Sequence, residues 1–371
     1  MLKVGSDFSG VGAFNQALIR LGKPYKEVFA CDMDKYARQT YIENYGEPEY
    51  YPTNVYDRKI PKDSLDIYMT SPPCQAFSSA GSKLGKDDKR GILFFNSYEF
   101  IQINKPRFFI FENVKGLLSD DNNKTFSEWV NMLGGKSVNG VPVIFPYEQS
   151  VPYHLYWKVL NAKEHGVPQN RERVFLIGIR DDSDNKFQFP KEEHLTKRLK
   201  DVLEENVEDK YFLSEKMVNG FTKHNENHNE KGTGFIFEPK EENDIANCLR
   251  ANAAICPTDN TLKIKPNFRI KKLNETLENN VFTIGKVSYI DTHNRTIHKH
   301  AKTITSRVDA SNASHLWNGY EIRKLTPREC FRLMDFPDSF TWPVSNSQAY
   351  KQAGNSIVVN VLYKILKNLP L

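Results

Sequence analysis

The sequence predicts an α/β fold built on a mainly parallel sheet and joined to a smaller, irregular, β-containing region. Three observations predict it. Short apolar runs alternate with helical patterns over residues 1–180, the alternation stops near 182 in charged, Asn-rich sequence, and helical periodicity returns after 320. The first run, Leu2–Asp7, enters a glycine turn and is followed by the amphipathic stretch Phe14–Leu21. Glu27–Cys31, Leu65–Thr70, Phe108–Glu112 and Val174–Arg180 read as further buried strands, with Lys35–Asn44 and Phe94–Asn104 as helices between them. Beyond 182 only scattered β-like runs such as Gly234–Phe237 and Val281–Ile284 stand out, until Pro327–Met334 and Ile357–Leu366 restore helical spacing. Three segments are expected: an α/β domain over 1–181, an irregular domain over 182–320, and a segment 321–371 that packs back onto the first.

Composition narrows the classes of function. At 39% hydrophobic and 26% charged the chain is an ordinary folded protein, which excludes disorder as the default. No apolar run approaches the roughly 20 residues of a membrane helix and no signal-peptide pattern opens the chain, so a cytoplasmic protein without a membrane partner is expected. The cysteines (Cys31, Cys74, Cys248, Cys256, Cys330) are odd in number and form no C-x-x-C pair, so neither a disulfide framework, a zinc ribbon nor any other metal site is indicated. A net charge of +5 is too mild to argue for nucleic acid, but its distribution is informative. Residues 186–244 hold 10 basic against 14 acidic side chains and residues 245–320 hold 11 against 5, which makes the second stretch the better phosphate-facing candidate.

Several short patterns fall where open α/β folds keep their sites, at the carboxyl edge of the sheet. Asp7-Phe8-Ser9-Gly10-Val11-Gly12 joins a strand to a helix through glycines that let a ligand approach the backbone, although a plain loop reads the same way. Asp32-Met33-Asp34 ends the second strand with a carboxylate suited to ribose hydroxyls, or merely starts a helix. Ser71-Pro72-Pro73-Cys74-Gln75 sets a thiol on a rigid turn. Polar neighbours and the glycine- and lysine-rich stretch Gly81–Gly91 favour a nucleophile over a buried structural cysteine. Glu112-Asn113-Val114 brings a carboxylate to the same edge, with a helix cap as the bland alternative. In Gln169-Asn170-Arg171-Glu172-Arg173 the strand period sends both arginines to one face, for an anion, a polarised carbonyl or a surface salt-bridge ladder. Gln352-Ala353-Gly354-Asn355-Ser356 precedes the last helix.

Taken in chain order these patterns resemble the bacterial DNA (cytosine-5) methyltransferases of restriction-modification systems. The resemblance covers 1–181 and 321–371 through Phe8-x-Gly10-x-Gly12, Pro73-Cys74-Gln75, Glu112-Asn113-Val114, Gln169-x-Arg171-x-Arg173, Arg323-x-Leu325-Thr326-x-Arg328-Glu329 and Gly354-Asn355-Ser356. It implies a Rossmann-like S-adenosylmethionine-dependent methyltransferase sheet with a target-recognition domain at 182–320, acting as a monomer on double-stranded DNA, either with a cognate restriction endonuclease for the same site or as a solitary or phage-borne enzyme. It implies Cys74 as nucleophile, with Glu112, Arg171 and Arg173 in the chemistry. It puts the cofactor against Phe8, Gly10, Val11 and Gly12, its ribose at Asp32 and its adenine near Met33, Asn54 and Val55, with Pro73, Leu93, Asn355 and Ile357 completing the pocket. Gln75, Thr303 and Ile304 are the residues it implies beside the base, Cys248-Leu249 being a rival placement of the last two.

The chain departs from the family pattern in three places. Ser6-Asp7-Phe8 stands where Asp-Leu-Phe is common, Thr53-Asn54-Val55 where Gly-Asp-Ile is common, and Asp32 where Glu is usual. Asn54 still offers an amide carbonyl to adenine. Three rival readings fare worse. An exocyclic-amine methyltransferase would have an aromatic residue in place of Cys74. A related tRNA methyltransferase would carry a Cys-Phe-Thr signature. A DNA-binding protein without activity would have lost Cys74 or Glu112.

Overall fold

A computed structural model describes residues 1–73, 92–182, 186–231, 236–251, 259–265, 289–291, 296–298, 316–317 and 320–371. They pack as two units, one of residues 1–197, 247–253 and 330–371, the other of 198–246 and 254–329. These divisions fall elsewhere than the change in composition: 182–197 and 247–253 pack in the first unit and 321–329 in the second.

The first unit is built on an eight-stranded sheet. Its strands are β1 (Leu2–Asp7), β2 (Tyr25–Cys31), β3 (Ile67–Thr70), β4 (Phe108–Val114), β5 (Ser137–Val138), β6 (Val141–Pro142), β7 (Tyr153–Asn161) and β9 (Glu172–Arg180), with the two-residue β8 (Gln169–Asn170) just before β9. The order across the sheet is β2-β1-β3-β4-β9-β7-β5-β6. Strands β2, β1, β3 and β4 run parallel, as expected of runs buried on both faces, and β9 returns antiparallel between β4 and β7. All four carboxyl ends of the parallel strands therefore open on one edge.

Helices cover both faces. α1 (Ala13–Leu21) buries Phe14, Ala17 and Leu18 and ends at Gly22, whose φ of 72° lets its amide return to Leu18 and Ile19. α2 (Lys35–Tyr45) is capped by Asp34, whose carboxylate accepts from the amides of Tyr36 and Ala37. α3 (Ile92–Asn104) and α4 (Lys124–Leu133) bring Phe94, Phe100 and Trp129 onto Phe29, Phe109 and Phe111 to form the main core. From the chain's end, α7 (Asn346–Asn355) and α8 (Val359–Asn368) return to this unit, and α8 buries Val359, Leu362, Ile365 and Leu366 and packs on α1.

The second unit has a small core of Leu213, Val218, Phe237 and Ile322. It holds α5 (Glu215–Lys231) and, after the short β10 (Ala246–Asn247), the strands β11 (Thr261–Ile264), β12 (Tyr289–Asp291), β13 (Thr296–His298), β14 (Leu316–Trp317) and β15 (Tyr320–Lys324). β15 pairs antiparallel with β11 and β14, while β12 and β13 form their own ribbon. The helix α6 (Pro327–Leu333) follows β15. At the α6 start, Arg323 and Glu329 form a buried ion pair at 2.7 Å, and Glu329 also accepts from the amides of Thr326 and Glu204, which gives the fifth sequence pattern a structural purpose. The expected strand Val281–Ile284 lies outside the described residues, as does the first half of Gly234–Phe237. Among the described residues no helix is long and apolar enough to cross a membrane.

Candidate active site

The turn after β1 is wound with positive φ at Phe8 (56°), Gly10 (55°) and Gly12 (82°). For Phe8 this is an uncommon conformation that its surroundings must enforce. The Ser9 amide donates to Cys31 O at 2.9 Å, tying the turn to the end of β2. There Asp32 accepts from the Gly10 amide at 2.7 Å through Oδ2 and from the Asp34 amide at 2.8 Å through Oδ1. Burial raises the Asp32 carboxyl, and the two amide bonds pull it partly back. Gly12, expected at the cofactor, is not among the residues that line the site's cavity, and a Cβ added to it would lie 2.2 Å from the Tyr45 ring. Its absent side chain serves the packing of α1 against α2.

At the end of β3, Ser71–Pro73 leads into Cys74, which with Gln75, Thr303 and Ile304 lies outside the described residues. Asn113, on the neighbouring end of β4, donates its amide to Pro72 O at 3.1 Å and so fixes the backbone two residues before the thiol. Glu112 precedes it, 7% exposed. The register pairs Glu112 with Phe175, which leaves Arg173 diagonal to it on the same face. The ion pair follows, with Arg173 Nε 3.2 Å from Glu112 Oε1. Burial pushes the Glu112 carboxyl upward while Arg173 and Arg171 pull it down. The result is a carboxyl that can exchange a proton beside a fixed guanidinium.

The sequence groups Arg171 with the chemistry, but its contacts make it a positioning residue. Its guanidinium donates to the carbonyls of Leu249 (3.1 Å), Gly354 (2.9 Å) and Ser356 (2.7 Å), and lies 3.4 Å from Cys248 Sγ. Burial, with Arg173 alongside, brings its pKa down to about 10. Gln169 completes the clamp, accepting from the Leu249 amide and donating to Leu333 O.

A cavity of about 820 Å³ gathers these parts. Phe8, Gly10, Val11, Asp32 and Met33 line it together with Asn54, Val55, Pro73 and Leu93. So do Glu112, Arg171, Arg173, Asn355 and Ile357. Asn54 spends Oδ1 on the Tyr56 amide at 3.1 Å, keeping one lone pair and its NH₂ for a ligand. Among the lining residues without a role assigned from the sequence are Ser6, Gln352 and Lys351. Ser6 Oγ and Gln352 Nε2 are buried without a hydrogen-bond partner among the described residues, which fits a polar ligand in the cavity. Lys351 pairs with Asp34 at 2.7 Å. The signals were present, since Ser6 stands at one of the family departures and Gln352 opens the last pattern.

Comparison with known proteins agrees with this geometry. A family model described as C-5 cytosine-specific DNA methylase matches residues 2–370. The type II methyltransferase M.HpaII of Haemophilus parainfluenzae is 33% identical over 98% of this chain and 88% of its own length. The type II methyltransferase M.HhaI of Haemophilus parahaemolyticus is 31% identical over 98% and 92%. Among solved structures, the S. pombe Dnmt2 methyltransferase is similar with a TM-score of 0.64 at 19% identity, covering 99% of this chain and 97% of that one. That likeness carries the fold alone.

Proposed function

The chain belongs to the C-5 cytosine-specific DNA methylase family and is a DNA (cytosine-5-)-methyltransferase, and on that premise we propose that Cys74 attacks a flipped-out cytosine whose C5 takes the methyl group of S-adenosylmethionine. The observation that carries this reading is the single cavity in which the Phe8–Val11 turn, Asp32 and Met33 meet Pro73, Glu112 and Arg173. Asp32 holds the ribose. Met33, Asn54 and Val55 face the adenine, and Phe8, Gly10, Val11, Pro73, Leu93, Asn355 and Ile357 enclose the remainder. S-adenosylmethionine supplies an electrophilic methyl group on a sulfonium.

The chain supplies everything else. C5 of cytosine is a poor nucleophile until the Cys74 thiolate adds to C6 and pushes the ring's electron pair toward C5. Glu112 holds the N3 and N4 edge and delivers a proton to N3, and Arg173 contacts the base carbonyl. Positioned proton donors of this kind contribute about 100- to 10,000-fold. After C5 has taken the methyl group, its proton leaves to a solvent base, the thiolate is expelled and N3 returns its proton to Glu112, restoring the aromatic ring and the carboxyl. None of these atoms is reachable inside a stacked duplex, so the base leaves the helix at a cost of a few kcal/mol, about that of one unstacked pair. Two described cysteines compete poorly for the role. Cys31 lines the cavity, but burial pushes its thiol up to about 12, and Cys330 is buried.

Sequence choice falls to residues 182–320, with Gln75, Thr303 and Ile304 near the base and the basic half of that region on the phosphates. The names of the type II relatives support a place in a restriction-modification system, where methylation protects host DNA from a nuclease of the same specificity. The test is trapping on DNA that carries 5-fluorocytosine, because fluorine cannot leave as the proton does. Wild type and Cys248→Ser should form a covalent complex and Cys74→Ala none. Equal yield with Cys74→Ala would remove the nucleophile from this scheme. Bisulfite sequencing of DNA from cells expressing the protein would then identify the site.

A further inference from the structure

A charged pair is buried beside the cofactor end of the cavity. Where the family pattern commonly has Asp-Leu, this chain has Ser6-Asp7, and a shift of one residue along a strand sends a carboxylate to the opposite face of the sheet. Asp7 pairs with Thr70 of β3 and shares that face with Tyr68. Its Oδ2 accepts from the Tyr68 hydroxyl at 2.6 Å and its Oδ1 from Arg58 Nε at 2.9 Å. The Asp7 and Arg58 side chains are 0% and 2% exposed. Arg58 also donates Nη2 to Asn96 O on α3 at 3.4 Å and stands 4.6 Å from the centroid of the Phe100 ring.

These contacts join four pieces of chain, each of which carries a residue of the cavity. β1 leads into Phe8, β3 leads into Ser71–Pro73, α3 carries Leu93, and Arg58 itself follows Asn54 and Val55 by a few residues. A buried ion pair in an aromatic core is a poor source of net stability, because desolvation offsets its attraction. Its geometry is what it adds. We propose that Arg58 is a positioning residue of the cofactor cavity, holding through Asp7 the Phe8 turn in register with the Asn54–Val55 and Leu93 walls. The inference rests on the cofactor reading above.

The test replaces both charges by apolar groups of similar size, Asp7→Leu with Arg58→Met, so that neither is stranded. Melting should fall by only a few degrees, the cost of the buried Tyr68 hydroxyl left without its acceptor, while affinity for S-adenosylmethionine, measured by calorimetry, falls by about tenfold because the walls are no longer pre-organised. Amide exchange in the cofactor-free protein should quicken at residues 8–12 and 54–58. Arg58→Lys keeps a charge toward Asp7 but loses the second donor, and should weaken binding by about threefold at unchanged melting. A double variant that folds, binds as wild type does and exchanges no faster overturns the proposal. If it does not fold, wild-type affinity in Arg58→Lys overturns it and the threefold loss supports it. A wild-type protein without affinity would sink the cofactor reading instead, and the exchange comparison would still decide whether Arg58 holds the walls.

Discussion

Glu112 is buried at the end of β4 and paired with Arg173, and these two facts act on its proton in opposite directions. Burial wins and holds the carboxyl above its ordinary value of 4.5. A group whose folded value is raised contributes stability that is fully present below the unfolded value and lost as pH rises through the folded one. Above the folded value the ionised carboxylate is a net cost to the fold. Replacing Glu112→Gln ends the titration, so the melting temperature of the variant relative to wild type should rise as pH increases above the ordinary carboxyl value of 4.5. Methyl transfer should fall by about 100- to 10,000-fold in the same protein. A melting difference independent of pH would mean that Glu112 titrates in the folded chain as it does in the unfolded one.

At the scale of elements, β8 and the start of β9 form a joint. Gln169 and Arg171 hold the backbone of 249, 333, 354 and 356, and Gly354 admits the chain at 250–251 so closely that a Cβ would lie 2.3 Å from the Arg250 carbonyl. Arg171→Met would take the guanidinium from three buried carbonyls, leaving Leu249 O only the Cys248 thiol, at a cost of roughly 3 kcal/mol, seen as a drop in melting temperature of about 5–10 °C. A shift under 2 °C, roughly the effect of a surface change, would show the carbonyls find other partners. Close by, His165 is fully buried with both ring nitrogens unpartnered among the described residues, and burial, helped by Lys364, pushes its imidazole down to about 4. Its stability contribution is therefore present above 6.5 and lost as pH falls through about 4. His165→Leu should flatten the decline in melting temperature over that window, and an unchanged slope would remove His165 from it.

Which elements were legible in the sequence follows from how local their causes are. The strands β1 to β4 and β9 announce themselves as short apolar-rich runs, and Asp34 and Gly22 mark helix ends within a few residues. β7 does not, because one face of Tyr153–Asn161 carries His154 and Lys158 and the strand is only half buried. α5 reads as Asn-rich coil, since its helicity is supported by Val218 and Phe221 packing on Phe237 and Ile322. That Phe8, Asp32, Asn54, Pro73, Glu112 and Arg173 would meet in one cavity was legible by resemblance. The packing partners of Gly12 and Arg171 were not, because Tyr45, Leu249 and Gly354 are distant in the chain.

For the whole molecule the question is where target choice can be exchanged. Residues 245–320 carry 11 basic against 5 acidic side chains, and phosphate contacts from them would make DNA affinity fall steeply with salt. A graft of 182–320 from a related enzyme should therefore transfer the target sequence. The packing adds a condition: 182–197 and 247–253 belong to the first unit, and Leu249 is held at both its amide and its carbonyl by Gln169 and Arg171. A one-piece graft replaces that clamped segment, whereas a two-piece graft of 198–246 and 254–320 keeps it. The two-piece chimera should melt several degrees higher, roughly the 1–3 kcal/mol of an intact buried hydrogen-bond set, and should methylate the donor's site. Bisulfite sequencing reads the outcome. If the folded, active two-piece chimera still methylated the original site, specificity would have to lie in 247–253 or in the unit that bears the cavity. If instead the one-piece graft proved the more stable, the Gln169–Arg171 clamp would not be what holds this crossing in place.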